Sequence, residues 1–435
     1  MSYIFEQEEV NKKLIYIYEE LLKIRNVNIN HVEYIGVILY VLYENLDEWN
    51  QTNFSDTMYI MRKLEEQVLK IQEEQEKDLF INIQFVNIFK NEEQEQIKEV
   101  TEKLKELINE VNERNKIADA YEYIIMQHAK NGGLKNASGE FYTPKGLIKT
   151  MAGIANIKDK TSIYNPASST GNFIVECARH GEIYALGEER DNSSYNICVT
   201  NIKLHEVDNV RIIKQSVGVI PLMDVAIANP PFVEQNDILN NQNQNKFPQK
   251  MSGYVKFLLK MLENIGEDGK IVTILPKGFL YKRVNEEYRI RRGLIENNYI
   301  DTIIELPEKL FYATKIQVII LVIKKRKKTN DVLFINASND YTSKRKNNIL
   351  TIEHQNKIIS TYNNRKKIEG YSYIANYEEI QKEDFNLRVD RYVKTKVVEK
   401  NIKPKEIEDK IRILEKKKKN IDNQIENILK DVKKY

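Results

Sequence analysis

Residues 224–232 read DVAIANPPF. A run of small apolar residues stops at Asn229, Pro230, Pro231 and Phe232. Two successive prolines remove two backbone donors and fix two φ angles, so a regular sheet ladder cannot pass through them. Just past a buried strand the chain then presents a side-chain amide, a carbonyl held still by a ring, and an aromatic face. These are parts for accepting hydrogen bonds and for stacking on a flat group. A strand closed by an ordinary Pro-Pro turn would use the same residues, so the four alone do not separate the two readings.

Upstream, YNPASSTGNF (164–173) leads from an apolar run through small residues and a glycine into a helical pattern. Such a turn lets backbone N–H groups approach a ligand closely, although many tight strand–helix turns share the pattern. No metal is expected, because the five histidines are scattered. Cys177 and Cys198 have no paired spacing, which argues against a cysteine zinc site or a disulfide framework and for a reduced compartment. MSYIFEQEEV carries acid where a signal peptide needs a basic start, and IGVILYVLY and VIILVI are too short to span a bilayer. A soluble cytoplasmic protein without a membrane partner is the expectation.

The elements that must hold these residues follow from periodicity. From Val10 to about Ala129, apolar residues recur every three or four positions, and no proline occurs before Pro144. The pattern predicts an N-terminal helical domain over 1–130. NGGLKNASGEFYTP (131–144) breaks it and reads as a connecting loop. Strands are then predicted at 161–165, 182–189, 210–216, 223–230, 269–276, 300–307 and 318–325, several of them separated by amphipathic helices. That alternation argues for an open, mostly parallel α/β sheet covered on both faces, assigned to residues 131–395. Ligands bind beyond the carboxyl ends of such strands. NPPF sits at one of those ends, which moves it from turn toward site.

Residues 396–435 form a third region. Ile407, Ile411, Leu414, Lys418, Ile421, Ile425, Ile428 and Val432 alternate spacings of four and three. This is a heptad seam with a lysine at one core position, expected to be a partner-binding coiled coil, with a single packed helix as the alternative. The net charge of +3 combines an acidic first 115 or so residues with a basic stretch from KKRKK (324–328) onward. The asymmetry gives weak support to nucleic-acid contact, because charge runs usually form solvated faces.

The ordered set is a small-residue loop after the first strand, an acid (Glu189) after the second and NPPF after the fourth. It resembles the S-adenosylmethionine-dependent methyltransferases that act on exocyclic amines. More closely, it resembles the methylation subunit of type I restriction-modification systems, an adenine-N6 DNA methyltransferase. The likeness runs from about Asp119 to Val393 through GEFYTPKGLI, NPASSTGNFI, GEERDNSSYNICVTNIKLH, DVAIANPPF, ILPKGFLY and LPEKLFYATKIQVIILVIKK. It implies a class I, Rossmann-like methyltransferase fold with a mostly parallel seven-stranded sheet.

It also implies roles. The Asn229 side-chain oxygen and the Pro230 carbonyl would accept from adenine N6, whose lone pair is delocalised into the ring. Their pull favours a more tetrahedral nitrogen, and Pro231 helps keep the acceptors still. Phe232 would stack on the base, which must be flipped out of the duplex. No dedicated general base is required. S-adenosylmethionine would be bordered by Asn165, Pro166, Ala167, Ser169, Thr170, Gly171, Asn172 and Phe173, with Glu189 on the ribose. Phe141, Tyr142, Thr143 and Pro144 would close the methionine end, and Gln215 would sit near the adenine amine. Double-stranded DNA and a specificity subunit are the implied partners, with two methylation subunits per specificity subunit and a restriction-translocase subunit as a further member. Only about 20 polar residues separate NPPF from the next helix, so base reading would come from that specificity partner.

Three positions depart from the family pattern. Asn165 stands where an acid is common, Ser169 where glycine is usual, and Gln215 where an acid often follows strand three. Asparagine lacks the countercharge for the methionine ammonium, and serine does not take positive φ freely. The competing readings are a methyltransferase fold with weak or no catalysis that serves assembly or DNA binding, and an enzyme acting on RNA or on a protein amide. With no GxxxxGK[ST] loop and no nuclease cluster in view, restriction by this chain alone is not expected.

Overall fold

The computed structural model describes residues 2–25, 30–74, 79–131, 142–214, 220–232, 251–283, 285–311, 316–345 and 347–394, with Arg412, Glu415 and Lys418 beyond them. Met1–Lys394 forms one compact unit and Thr395–Tyr435 a second. The heptad seam falls outside the described residues except for Lys418, which is helical and exposed.

The first unit begins with α1 (Ser2–Leu21), α2 (His31–Glu44), α3 (Leu46–Asn50), α4 (Thr57–Glu74), α5 (Asn91–Val111) and α6 (Arg114–Lys130). α2 is apolar nearly all round and is buried over Val32–Leu42, as expected for a helix at the centre of a helical layer. Between α4 and α5, the non-helical stretch from Leu79 docks on a later helix, where the Asn196 carboxamide pairs with both the N–H and the carbonyl of Ile81 (2.8 and 2.9 Å).

The α/β part follows as α7 (Lys145–Ala155), β1 (Thr161–Asn165), α8 (Asn172–Ala178), β2 (Ile183–Glu188), α9 (Asn192–Leu204), β3 (Val210–Ile213), β4 (Met223–Ala228), α10 (Gly253–Glu263) and β5 (Ile265–Pro276). A 3-10 turn (Lys277–Leu280), α11 (Asn285–Glu296), β6 (Ile300–Glu305), β7 (Val318–Lys324) and β8 (Asp331–Asn336) come next. The chain continues through β9 (Thr342–Ser343), β10 (Asn348–Ile349), α12 (Ile352–Asn364), β11 (Ser372–Asn376), α13 (Tyr377–Lys382) and α14 (Val389–Tyr392). The main sheet has the order β11-β8-β6-β7-β5-β4-β1-β2-β3. β7 runs antiparallel to β5 and β6, and β11 antiparallel to β8. The seven predicted strands are all present, and two more, β8 and β11, extend the sheet beyond β6.

Alternation along the strands splits the core in two. Val225 and Ile227 of β4 join the layer shared with α7, α8, α9, α12 and the N-terminal helices, whereas Ala226 and Ala228 face α10 and α11. The helical region therefore shares one continuous core with one face of the sheet. Among the described residues, no helix is long and apolar enough to cross a membrane.

Candidate active site at the carboxyl ends of β1 and β4

Adjacent parallel strands β1 and β4 finish side by side, and the two motifs leave from their ends. After Asn165 the chain folds into a tight loop. The Asn165 side-chain oxygen accepts from Ala167 N–H (3.0 Å), an Asx turn of the kind asparagine favours. Ser168 N–H donates to the Glu188 carbonyl at the end of β2 (2.8 Å), and Gly171 N–H to the Ser168 carbonyl (2.8 Å). Two residues take left-handed backbone, Ser169 at φ +49° and Gly171 at φ +79°. For Gly171 the conformation costs little, and a Cβ there would also approach the Cys198 carbonyl at 3.1 Å. Ser169 occupies it as a non-glycine residue, the strain anticipated from its place in the pattern.

Glu189 holds that strained turn. Its carboxylate accepts from Ser169 N–H (2.9 Å), Arg190 N–H (2.8 Å) and Asp191 N–H (2.9 Å), and the residue is buried. On the other face of the sheet, Glu188 accepts from the Tyr164 hydroxyl and pairs with Lys260. Burial and the neighbouring Glu188 push the Tyr164 phenol well up, so it stays a donor.

β4 ends at Ala228, whose carbonyl accepts from Thr273 Oγ1 (3.1 Å). Asn229 comes next, half-buried, with its Nδ2 donating to Thr143 Oγ1 (2.9 Å). Thr143 thus fixes the rotation of the amide and ties the segment before α7 to NPPF. Pro230 and Pro231 are buried, while Phe232 is half-buried and meets Phe311 edge-on at 6.5 Å and 83°.

One small cavity joins the motifs. It is lined by Thr143, Ile148, Ala167, Ser168, Ser169, Thr170, Asn172, Phe173 and Asn229. Seven of the expected site residues thus meet at one wall. Asn165, Pro166, Gly171 and Glu189 shape the loop from behind, and Tyr142, Pro144, Pro230, Pro231 and Phe232 flank the wall without lining it. Phe141 and Gln215 lie outside the described residues. Ile148 and Ser168 carry no signal in the sequence that sets them apart from ordinary helix and loop positions. The wall suits a polar ligand: Asn172 is buried, its Oδ1 accepts from Asn201, and its Nδ2 has no hydrogen-bond partner within the protein.

A roomier cleft lies at the amino ends of β2 and β3, bordered by Gly181–Ile183, Val207–Asn209, Asp119, Arg179 and His205. The charges around Arg179 pair with one another. Arg179 pairs with Asp119 (2.7 Å), Glu122 (3.3 Å) and Glu176 (2.9 Å), and Lys145 pairs with Glu122 (2.7 Å). Burial raises the Asp119 and Glu122 carboxyls. For Asp119 the His205 hydrogen bond and the Arg179 and Lys145 charges outweigh it, and for Glu122 chiefly the Lys145 and Arg179 charges do, so both end below their usual values. The first four residues of the KKRKK run are similarly engaged, and Lys324 lies toward the opposite end of the strands from NPPF. Lys324 stands opposite Lys270, far from the Ala228–Thr273 end, and pairs with Asp301 (3.1 Å), while Lys325 Nζ donates to the Ile265 carbonyl (2.7 Å).

Comparison with known proteins matches this arrangement. The N-6 DNA methylase family matches residues 112–401, more than half of the chain. The type I restriction enzyme MpnII methylase subunit of Mycoplasma pneumoniae is 27% identical over 376 residues, covering 77% of this chain and 69% of that protein. The MjaVII methylase subunit of Methanocaldococcus jannaschii is 29% identical over 367 residues, covering 74% and 62%. The fold is that of a type I restriction-modification methyltransferase subunit from Streptococcus thermophilus, with a TM-score of 0.72 at 22% identity over 89% of this chain and 99% of that one. With a class I methyltransferase sheet, an NPPF segment on β4 and a small-residue loop on β1 around one cavity, the chain belongs to the N-6 DNA methylase family, S-adenosylmethionine-dependent enzymes that methylate adenine N6 in DNA.

Proposed function

We propose that the cavity between the β1–α8 loop and Asn229 is where this chain performs adenine-N6 methylation, and that it does so as the methylating subunit of a complex containing a specificity subunit. The observation that carries the reading is that Asn229, with its amide rotation fixed by Thr143, lines the same cavity as residues 167–170, Asn172 and Phe173 of the loop.

The wall fits the cofactor: small side chains allow close backbone approach, and Asn172 Nδ2 is a buried donor without a protein partner. Ala167, Ser169, Thr170, Asn172 and Phe173 would hold the methionine part, with Thr143 closing that end. Glu189 already accepts three backbone N–H groups, so its first task is to hold Ser169. A carboxylate has about four acceptor positions, which leaves room for one ribose hydroxyl. S-adenosylmethionine, when bound, supplies an electrophilic methyl group.

The chain's own residues then act on the amine. Asn229 Oδ1 and the Pro230 carbonyl accept the two N6 hydrogens, drawing the lone pair out of conjugation and toward the cofactor side. The Pro-Pro backbone keeps both acceptors from reorganising during transfer. Phe232, braced by Phe311, stacks on the extruded base and offsets part of the unstacking cost of a few kcal/mol. The proton leaves N6 after transfer, so no strong base is needed beside the cavity.

The relatives are named as subunits of type I restriction enzymes, and a matching structure concerns complex assembly of such a system. On that support, the partners are double-stranded DNA and a specificity subunit carrying two methylation subunits, joined through the heptads of 396–435, with cleavage left to a restriction subunit. Mixing the chain with its specificity partner, DNA and labelled S-adenosylmethionine tests the reading. Label on adenine N6 is expected; bound cofactor without such label, or label on RNA or protein, would overturn it.

A further inference from the structure

The cofactor loop is held from behind by one side chain that the chemistry above does not use. Asn201, on α9, is fully buried, and its Nδ2 donates to the Thr170 carbonyl (2.9 Å) and to Asn172 Oδ1 (2.8 Å). The Thr170 carbonyl lies just outside α8, whose ladder starts with Val175 N–H on the Gly171 carbonyl. Buried carbonyls need a donor, and an amide nitrogen from the neighbouring helix meets this one.

The polarity of this contact matters more than its strength. The Thr170 carbonyl can only accept, so Asn201 must turn its nitrogen, not its oxygen, toward the loop. That nitrogen in turn demands an acceptor from Asn172, so the Asn172 oxygen faces inward. A flipped Asn172 amide would set donor against donor. The remaining atom, Asn172 Nδ2, has no partner in the protein and belongs to a residue of the cavity wall. Asn201 lies on the same helix as Asn196, which grips Ile81 and the buried Glu33 of the helical region, so α9 cannot easily shift to release it.

We infer that Asn201 is a positioning residue for the cofactor: through the fixed polarity of Thr170, Asn201 and Asn172 it presents a hydrogen-bond donor to the cavity, matched to the methionine carboxylate of S-adenosylmethionine. The inference rests on the cofactor reading proposed above. It assigns the recognition of one anionic group to a two-asparagine relay and not to a cationic side chain.

Calorimetry on the full chain tests it with two ligands, S-adenosylmethionine and its decarboxylated analogue. Asn201→Ala frees Asn172 to rotate, and Asn201→Asp, nearly isosteric, reverses the polarity. For either variant the S-adenosylmethionine Kd rises about ten-fold or more, the size expected when a charged acceptor loses its donor, while the analogue's Kd stays within about two-fold. Equal weakening of both ligands would mean that Asn201 merely supports the loop, and unchanged affinity for both would mean that it does nothing for binding; either overturns the inference. Should neither variant fold, Asn172→Asp leaves Asn201 with an acceptor and removes the cavity donor, and the same selective loss is required of it. Failure of the unaltered chain to bind S-adenosylmethionine would instead overturn the cofactor reading itself.

Discussion

Two cavities border the strands β1–β3, and they differ in what holds them. The roomier one, at the amino ends of β2 and β3, is surrounded by charges that already answer one another: Arg179 with Asp119, Glu122 and Glu176, and Lys145 with Glu122. The smaller one, at the carboxyl ends of β1 and β4, is walled by neutral groups whose orientations are fixed one by one, Thr143 to Asn229 and Asn201 to Asn172. The first uses charge to join α6 to α7, α8 and α9. The second fixes its amides with neutral partners and leaves one donor on its wall, Asn172 Nδ2, without a partner in the protein. That unspent donor, and not volume, is what marks the smaller cavity for a polar ligand.

The contrast is broken most sharply by removing the aimed acceptor. Asn229→Ala should lower kcat by about 100- to 1000-fold, as for other preorganised groups that act only near the transition state, with S-adenosylmethionine and DNA binding nearly unchanged. Label incorporation with the specificity partner, alongside cofactor titration, measures both. A large loss of cofactor affinity would mean that Asn229 belongs to the binding wall and not to the chemistry.

The charged cluster should answer in stability. Arg179→Ala strips one of the two counter-charges from Glu122, whose side chain is 5% exposed, and leaves only Lys145. A loss of ~2–3 kcal/mol is expected, below the 3–5 kcal/mol of a fully buried pair because Arg179 itself is 31% exposed. The pH dependence has a definite sign. Asp119 and Glu122 titrate below their usual values when folded, so the stability they confer is present above the unfolded carboxylate range and is lost as pH falls through the folded values. In Arg179→Ala that depression shrinks, so less stability is lost on acidification and the loss is complete at a higher pH, as urea midpoints from about pH 3 to 7 would show. Cofactor affinity, measured where the variant remains folded, should barely change.

Thr143→Val is a gentler break of the neutral site. It keeps the volume and removes the acceptor for Asn229 Nδ2. The amide can then rotate, and kcat should fall about ten-fold, the equivalent of ~1.4 kcal/mol, with little change in melting temperature. A drop in stability matching the drop in rate would make Thr143 a packing residue.

How much of this was legible in the sequence follows the same divide. All seven core strands could be read because apolar runs alternate with amphipathic helices. β8 and β11 could not: DVLFIN follows a charged stretch, and SYIAN is only partly buried, so pairing at the sheet edge makes them strands more than pattern does. NPPF and the β1–α8 loop announce themselves through prolines, glycine and small residues. Asn201 does not, since an asparagine in a helix reads as a weak helix former until α8 packs beside it. Glu189 was legible as a site residue, yet its three backbone partners depend on how β2, β3 and the loop meet, which no spacing in the chain encodes.

The smallest effect probes the boundary between holding the loop and binding the ligand. Ser169 sits at φ +49° with its N–H on Glu189. Ser169→Gly keeps that bond and removes left-handed strain of ~1–2 kcal/mol, against which the unfolded chain gains ~0.4–1 kcal/mol of entropy. The loop should therefore settle by no more than about 1.6 kcal/mol, and the S-adenosylmethionine Kd should fall about two- to three-fold by calorimetry. A rise instead would mean that the serine hydroxyl touches the cofactor. The left-handed serine would then be a ligand contact kept despite its strain, and the wall would owe part of its aim to a side chain and not only to the amides behind it.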